Sequence, residues 1–346
     1  MFAGSGDADD GDVDFPTTDA ELHANFETVR ELGRGRFGEA TLVRHLATGR
    51  QFALKRTKFG AAGQPDAQKV LVEARALSRL GHAHVVRYHA TFSEASAVCI
   101  LMEFAEGGDL SALLSARWEA AARASQSHLA EDEVVDWFVQ LAEGLAHIHD
   151  SKVLHRDLKP ENVFVCGGGR GGPSGVTLKI GDFGISRILQ ASAEMAKTCV
   201  GSPCYLSPEI VQGAAYGYKS DVWSLGVIVY RAMTNRFPFD ADNLAQLALK
   251  ITAGSFPPLS PIYSPKAHHL VASLLQIDPS HRPGMADVLA TNSLVQLALA
   301  RRAAAASGMP LSPAAAALTA RSRIPVPRKP SSPRPNEGPG SPPLPQ

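Results

Sequence analysis

The run Val153-Leu154-His155-Arg156-Asp157-Leu158-Lys159-Pro160-Glu161-Asn162-Val163-Phe164 constrains this chain more than any other stretch. From Asp157 to Asn162, an acid, a lysine and an amide lie between two short apolar runs that read as buried strand ends. Polar groups held at a rigid edge suit the handling of phosphate and of a hard cation. A polar turn without chemistry is the alternative reading of the run taken alone.

Other stretches carry related signals. Phe26 to Arg30 leads into Gly33-Arg34-Gly35-Arg36-Phe37-Gly38, and Ala40 to Arg44 follows it with strand-like alternation, so the glycines belong to a hairpin. In a dinucleotide fold the same spacing would open a helix. Lacking Cβ atoms, a glycine hairpin can bring its backbone amides close to phosphates, although a plain flexible hairpin has the same sequence. Gln51 to Lys55 reads as the next strand, and period-two alternation puts Ala53 and Lys55 on one face. The small residue can roof an adenine while the ammonium reaches its phosphates.

A helix is expected from Asp66 to Leu80, with Val70, Leu77 and Leu80 on one stripe and Glu73 falling on it. An ionised group on a buried face needs a partner, and Lys55 is the natural one for Glu73. Val85 to Phe92 and Ala97 to Phe104 read as two more strands, giving a five-stranded sheet with one helix over residues 26 to 104. Asp109 can cap the helix through Leu114, and Arg117 to Ala130 reads as its extension or a surface insert. Glu131 to His149 carries a helical apolar face, and Asp221 to Tyr230 is apolar nearly all round, the mark of a buried helix. Asp182-Phe183-Gly184 comes 20 residues after Asn162.

As a set, the glycine loop, strand lysine, catalytic loop and Asp-Phe-Gly resemble the protein kinase signatures. The resemblance implies an α+β, bilobal fold: a small antiparallel N-lobe (about 26–104) with one main helix, and a larger helical C-lobe (about 105–296). It implies ATP and Mg2+ as cofactors and protein substrates. By resemblance Gly33, Arg34, Gly35 and Gly38 cover the phosphates, and Lys55, held by Glu73, reaches the α- and β-phosphates. Met102 is the gatekeeper, backbone groups of Glu103 and Ala105 hold the adenine edge, Phe164 floors it opposite Ala53, and Asp109 is near the ribose. Asp157 orients the attacking hydroxyl, Lys159 neutralises charge on the transferring phosphoryl, and Asn162 and Asp182 hold magnesium. Such a division suits phosphoryl transfer, which needs in-line positioning and concentrated positive charge more than covalent chemistry.

The 28 residues from Asp182 to Glu209 resemble an activation segment. Arg156 would receive a phosphate on Thr198, with Ser192 and Ser202 as further sites, and Ser202 resembles the residue that bonds the catalytic Asp and Lys. Asp221 resembles the aspartate that pins the catalytic loop, and Arg282 the arginine paired with Glu209. Asp136-Trp137-Phe138, Gly181 to Arg187, Lys197 to Pro203 and Leu249 to Pro258 narrow the likeness to the NIMA-related Ser/Thr kinases, over about residues 26 to 296. Leu158-Lys159-Pro160-Glu161 and Ser202-Pro203-Cys204 depart from that family's usual forms, which leaves substrate preference open. Tyr88 stands where the family stacks a residue with Leu77, His155 and Phe183, and where some members fold a tyrosine inward to inhibit.

Outside the domain, residues 1–25 hold seven acids and no Lys or Arg, and residues 301–346 hold seven bases against Glu337 alone. Both read as disordered tails, the second running from 297. Pro325 to Pro330 can dock an SH3-like domain or an anionic surface, and residues 301–346 show no heptads, so no coiled-coil dimer is expected. Cys99, Cys166, Cys199 and Cys204 show no paired metal spacing, which points to a reducing compartment; Cys199 and Cys204 are redox-sensor candidates. No signal peptide or membrane span is visible, so a cytoplasmic protein is expected, without nucleic-acid or membrane partners. Centrosomal, ciliary or other cytoskeletal association is suggested by the family alone. The rival from another class is a pseudokinase scaffold, against which Lys55, Glu73, Asp157, Asn162 and Asp182 all speak.

Overall fold

Alternation along two strands decides how the N-terminal half is buried. In the computed structural model, which describes residues 13–35, 38–58, 77–94, 97–166, 175–183 and 203–307, β1 (Phe26–Gly35), β2 (Gly38–His45), β3 (Gln51–Lys58), β4 (Tyr88–Glu94) and β5 (Ala97–Glu103) form one antiparallel sheet in the order β1-β2-β3-β5-β4. Phe52 and Leu54 of β3, with Cys99 and Leu101 of β5, join a small apolar cluster on the outer face. Val98, Ile100 and Met102 face the main core, and Ala53 packs against it. The five-stranded sheet expected from the sequence is present.

In the N-terminal half, two expectations differ from what is observed. Residues 85–87 precede the sheet: Val85 forms a parallel bridge to Ile180, and the Val86 N–H donates to the Ile180 carbonyl at 2.8 Å. Their apolar pattern is satisfied by a different partner. The acidic arm was expected to be disordered through residue 25, but residues 13–25 pack on the sheet and include α1 (Asp19–Asn25), capped by the Thr18 side chain. Val13 and Leu22 are buried, and Phe15 stacks on His89 at 4.6 Å and meets Phe52 edge-on at 5.8 Å. The outer face of the sheet is apolar, and these three side chains cover it while Asp14 and Glu21 are exposed to water.

The C-terminal half is helical: α2 (Leu110–Arg123), α3 (Glu131–Asp150), α4 (Pro208–Val211), α5 (Tyr218–Thr234), α6 (Leu244–Ala253), α7 (Pro265–Leu274), α8 (Met285–Thr291) and α9 (Ser293–Ser307), with a hairpin of β6 (Val163–Cys166) and β7 (Thr177–Ile180). Helix α5 is buried nearly all round, as its sequence indicates. Helix α9 runs past residue 296, where the tail was expected to begin; Leu294, Val295, Leu297 and Ala298 are buried, and Arg301 and Arg302 pair with Asp132 and Asp136 of α3. Among the described residues no helix is long and apolar enough to cross a membrane.

One buried ion pair ties this lobe together. Arg282, 1% exposed, donates from Nη1 and Nη2 to the Glu209 carboxylate at 2.8 and 2.7 Å and lies 4.9 Å over the Trp223 ring. Burial alone would raise the Glu209 pKa, but Arg282 and the Ser220 hydroxyl outweigh it and hold it at about 2. Arg282→Ala is expected to destabilise by about 3–5 kcal/mol in urea unfolding at neutral pH, because the carboxylate is left buried and unpaired. The depressed pKa stabilises the fold above the ordinary 4.5 and loses that contribution as pH falls towards about 2, so the gap between wild type and variant narrows over this range.

Candidate active site

The β6–β7 hairpin builds the core of the site. Its register sets Val163 opposite Ile180, so Asn162, just before β6, lies beside Gly181, just after β7, and the Gly181 N–H donates to the Asn162 carbonyl at 3.0 Å. Asp182 follows at once in a left-handed conformation with φ +52°. Such a conformation costs of order 1–3 kcal/mol in a non-glycine residue. Lys55 comes down from β3, on the same strand face as Ala53, and its ammonium pairs with Asp182 Oδ1. Two groups 127 positions apart thus meet at the lower edge of the sheet.

The catalytic loop is fixed from two directions. Lys159 Nζ donates to Asp157 Oδ2 at 2.8 Å, and Asn162 Nδ2 donates to the Asp157 carbonyl at 2.7 Å and to Oδ2 at 3.1 Å. Convergence on one oxygen sets the tilt of the carboxylate. Beneath the loop lies Asp221, fully buried in the first turn of α5. Its Oδ2 accepts from the His155 N–H (3.0 Å) and faces His149 Nε2 (2.9 Å); its Oδ1 accepts from the Arg156 N–H (3.1 Å) and the Tyr216 hydroxyl (2.6 Å). Burial pushes the Asp221 carboxyl up, but the hydrogen bonds it accepts, from His149 first and from the Tyr216 hydroxyl, outweigh this and hold it below the ordinary value. Helix α5 also turns its positive end to this carboxylate.

Arg156 is half-buried with φ +68°. Asp221 therefore holds a strained backbone at the residue before Asp157. His155 links loop and hairpin: Nδ1 faces the Asp157 N–H (3.4 Å), so Nε2 carries the ring proton and donates to the Gly181 carbonyl (3.0 Å). Burial keeps the ring neutral by lowering its pKa.

Above this lies the cleft. Ala53 and Phe164 are half-buried and both pack on the main core, as a roof and floor require. The Glu103 N–H donates to the Arg87 carbonyl at 2.9 Å, so of its backbone groups the carbonyl is the one that can serve an adenine edge. Lys179 anchors the Glu103 carboxylate at 2.6 Å, behind Met102 and before half-buried Ala105. Asp109 accepts from the Ala112 N–H at 2.8 Å and bridges to Phe164, so its capping role is the one observed. Gly33 and Gly35 pair with Ala40 and Gly38 across the hairpin. A Cβ on Gly38 would fall 1.8 Å from the Arg56 carbonyl oxygen, which only glycine avoids. The Arg34 guanidinium turns to Glu39 (3.1 Å) and Glu31 (3.4 Å), so its backbone amide is what it can offer a phosphate.

Glu73, Ser192, Thr198, Cys199, Ser202 and the Pro325–Pro330 run lie outside the described residues. Burial pushes the Cys204 thiol up, which disfavours the thiolate a redox sensor needs. The sequence reading missed His149, Tyr216 and Lys179, whose partners are far away in the chain. Tyr88 is buried, meets Phe183 edge-on at 5.8 Å, and its hydroxyl lies against the backbone of Phe183 and Asp182. Phe183 in turn packs on His155 at 5.0 Å.

A five-stranded sheet over a helical lobe, with this loop and hairpin at the junction, is the architecture of the protein kinases. Residues 26–293 match the protein kinase domain, and the chain belongs to that family. It is 38% identical to the serine/threonine-protein kinase Nek1 of Mus musculus over 75% of this chain and 20% of that protein. It is 36% identical to Nek5 of Homo sapiens over 76% of this chain and 36% of that protein, and 36% identical to Nek8 of Danio rerio over 77% and 36%. The likeness to NIMA-related kinases drawn from the motifs appears again in these names. The chain matches well under half the length of these relatives.

Asp221→Ala leaves four donors without their acceptor, and a loss of about 3 kcal/mol or more is expected in chemical denaturation. Faster amide exchange at His155 and Arg156 is the local signature to measure.

Proposed function

We propose that this chain is a protein serine/threonine kinase that transfers the γ-phosphoryl of Mg-ATP to Ser or Thr hydroxyls of proteins. The observation that carries this reading is the convergence of Lys55, Asp157, Lys159, Asn162 and Asp182 on one edge below the glycine hairpin. The donor set fits magnesium: the Asn162 amide oxygen and the Asp182 carboxylate are hard oxygen ligands, and Mg2+ takes one or two such groups plus phosphate oxygens. Bound there, Mg-ATP supplies the phosphoryl group and the charge that stabilises its transfer.

The chain's own residues do the rest. Asp157, oriented by Lys159 and Asn162, accepts the hydrogen bond of the incoming hydroxyl and takes its proton as the new P–O bond forms and the bond from the γ-phosphorus to the β–γ bridging oxygen breaks, ADP leaving. Lys159, beside it, neutralises charge on the transferring group, and Lys55 holds the α- and β-phosphates. Ala53 and Phe164 bracket the adenine. From family likeness we extend the proposal to activation by a phosphate on Thr198 that docks at Arg156.

The test is labelled-ATP transfer to a generic basic protein, with and without prior phosphorylation. Asp182→Asn is expected to reduce turnover by about 10²-fold or more, with label on Ser and Thr in the wild type. Equal background incorporation by both proteins would favour the scaffold reading. The placement of Tyr88 against Asp182 and Phe183 supports a second proposal, that this ring restrains the metal-binding aspartate. Tyr88→Ala should then raise basal turnover; unchanged or lower turnover sinks the idea.

A further inference from the structure

Arg302 lies nine residues past the end of the matched kinase domain at 293, on the outer helix α9. Its Nη1 is 3.3 Å from Asp136 Oδ1, and its Nη2 is 3.0 Å from His84 Nε2 and 3.9 Å from Glu143 Oε2. Asp136 is 1% exposed and His84 6%. A carboxylate so buried requires a cation and further donors, and Gln140 Nε2 supplies a second contact to Asp136 Oδ2 at 3.1 Å. The His84 ring is oriented by the same logic. Its Nδ1 lies 2.9 Å from the Leu178 carbonyl, which only accepts, so Nδ1 carries the proton and Nε2 accepts from the guanidinium, which only donates. The ring is neutral, and burial lowers its pKa to about 3.

Two of the three partners of Arg302, His84 and Asp136, lead to β7. Through His84, the ring donates to the Leu178 carbonyl, and the His84 carbonyl accepts from the Ile180 N–H at 2.9 Å. Through Asp136, Gln140 is held so that Oε1 accepts from the Leu178 N–H at 2.8 Å and Nε2 donates to the Val176 carbonyl at 3.1 Å. Val176 and Leu178 are thus held by the side chains of Gln140 and His84, and Ile180 by the His84 main-chain carbonyl, with Asp182 two residues further on. The junction has little room to slip, since a Cβ on Gly144 of α3 would stand 2.5 Å from the His84 carbonyl oxygen. Neighbouring Arg301 pairs with the exposed side of α3 at Asp132.

We propose that Arg302 is a positioning residue: from outside the matched kinase domain it fixes β7, through His84 and through Asp136 with Gln140, and so sets Asp182 for magnesium. The inference rests on the reading of Asp182 given above. Two measurements on the full chain test it, neither requiring turnover: hydrogen exchange across residues 175–183 without nucleotide, and Mg2+-dependent binding of the non-hydrolysable analogue adenylyl imidodiphosphate. Arg302→Met is expected to speed exchange at Leu178 and Ile180 by about tenfold and to raise half-saturating Mg2+ roughly tenfold.

Arg302→Lys, which keeps the charge, should restore both in part, and Arg301→Met should change neither. Unchanged β7 exchange in Arg302→Met, or equal loosening in Arg301→Met, would show a strap for α9 and overturn the proposal. So would faster exchange with unaltered Mg2+ dependence. A wild type that binds Mg-nucleotide without transferring phosphate would defeat the kinase reading and leave these outcomes interpretable.

Discussion

The loop from His155 to Asn162 depends on one buried carboxylate. Asp221 receives two main-chain donors and two side-chain groups, two to each oxygen, at the start of a helix that favours negative charge. Left to itself, the backbone at Arg156 would avoid a positive φ, and Asp157 and Lys159 would face elsewhere. The strain is tolerated because Asp221 over-determines the geometry. Ionised Asp221, neutral His155 and the Gly181 carbonyl then form one connected set, so the loop bearing Asp157 and the turn bearing Asp182 are positioned together.

The extensions at both ends contribute to the same rigidity. Val13, Phe15 and Leu22 cover the outer face of the sheet behind β3, the strand that carries Lys55. At the other end α9 lies on α3, the helix that backs the hairpin. Segments outside the core of the fold therefore press on the two elements that converge at the site.

How much of this could be read in the sequence depended on the range of the interaction. Asp157, Lys159 and Asn162 are separated by one local turn, so their spacing alone carries their geometry. Ala53 and Lys55 follow from period two. Val85 and Val86 show the limit: an apolar pair reads the same whether it joins β5 or bridges to Ile180. Val13, Phe15 and Leu22 are too widely spaced among acids to announce a packed segment, and the alanines of α9 hide a buried stripe in a composition that resembles a tail. His149 finds Asp221 across 72 positions, and Arg302 finds His84 across 218; no local pattern encodes either meeting.

The hairpin between Asn162 and Asp182 has a different kind of consequence. Because the pairing of Val163 with Ile180 sets how close Asn162 and Asp182 lie, their distance along the chain does not. The stretch between Cys166 and Thr177 could lengthen or shorten over evolutionary time while the chemistry stays in register. A shift of a single residue in the pairing would instead turn every side chain of β7 to the opposite face. The heritable quantity here is an alignment between two short strands, and sequence separation is free to drift around it.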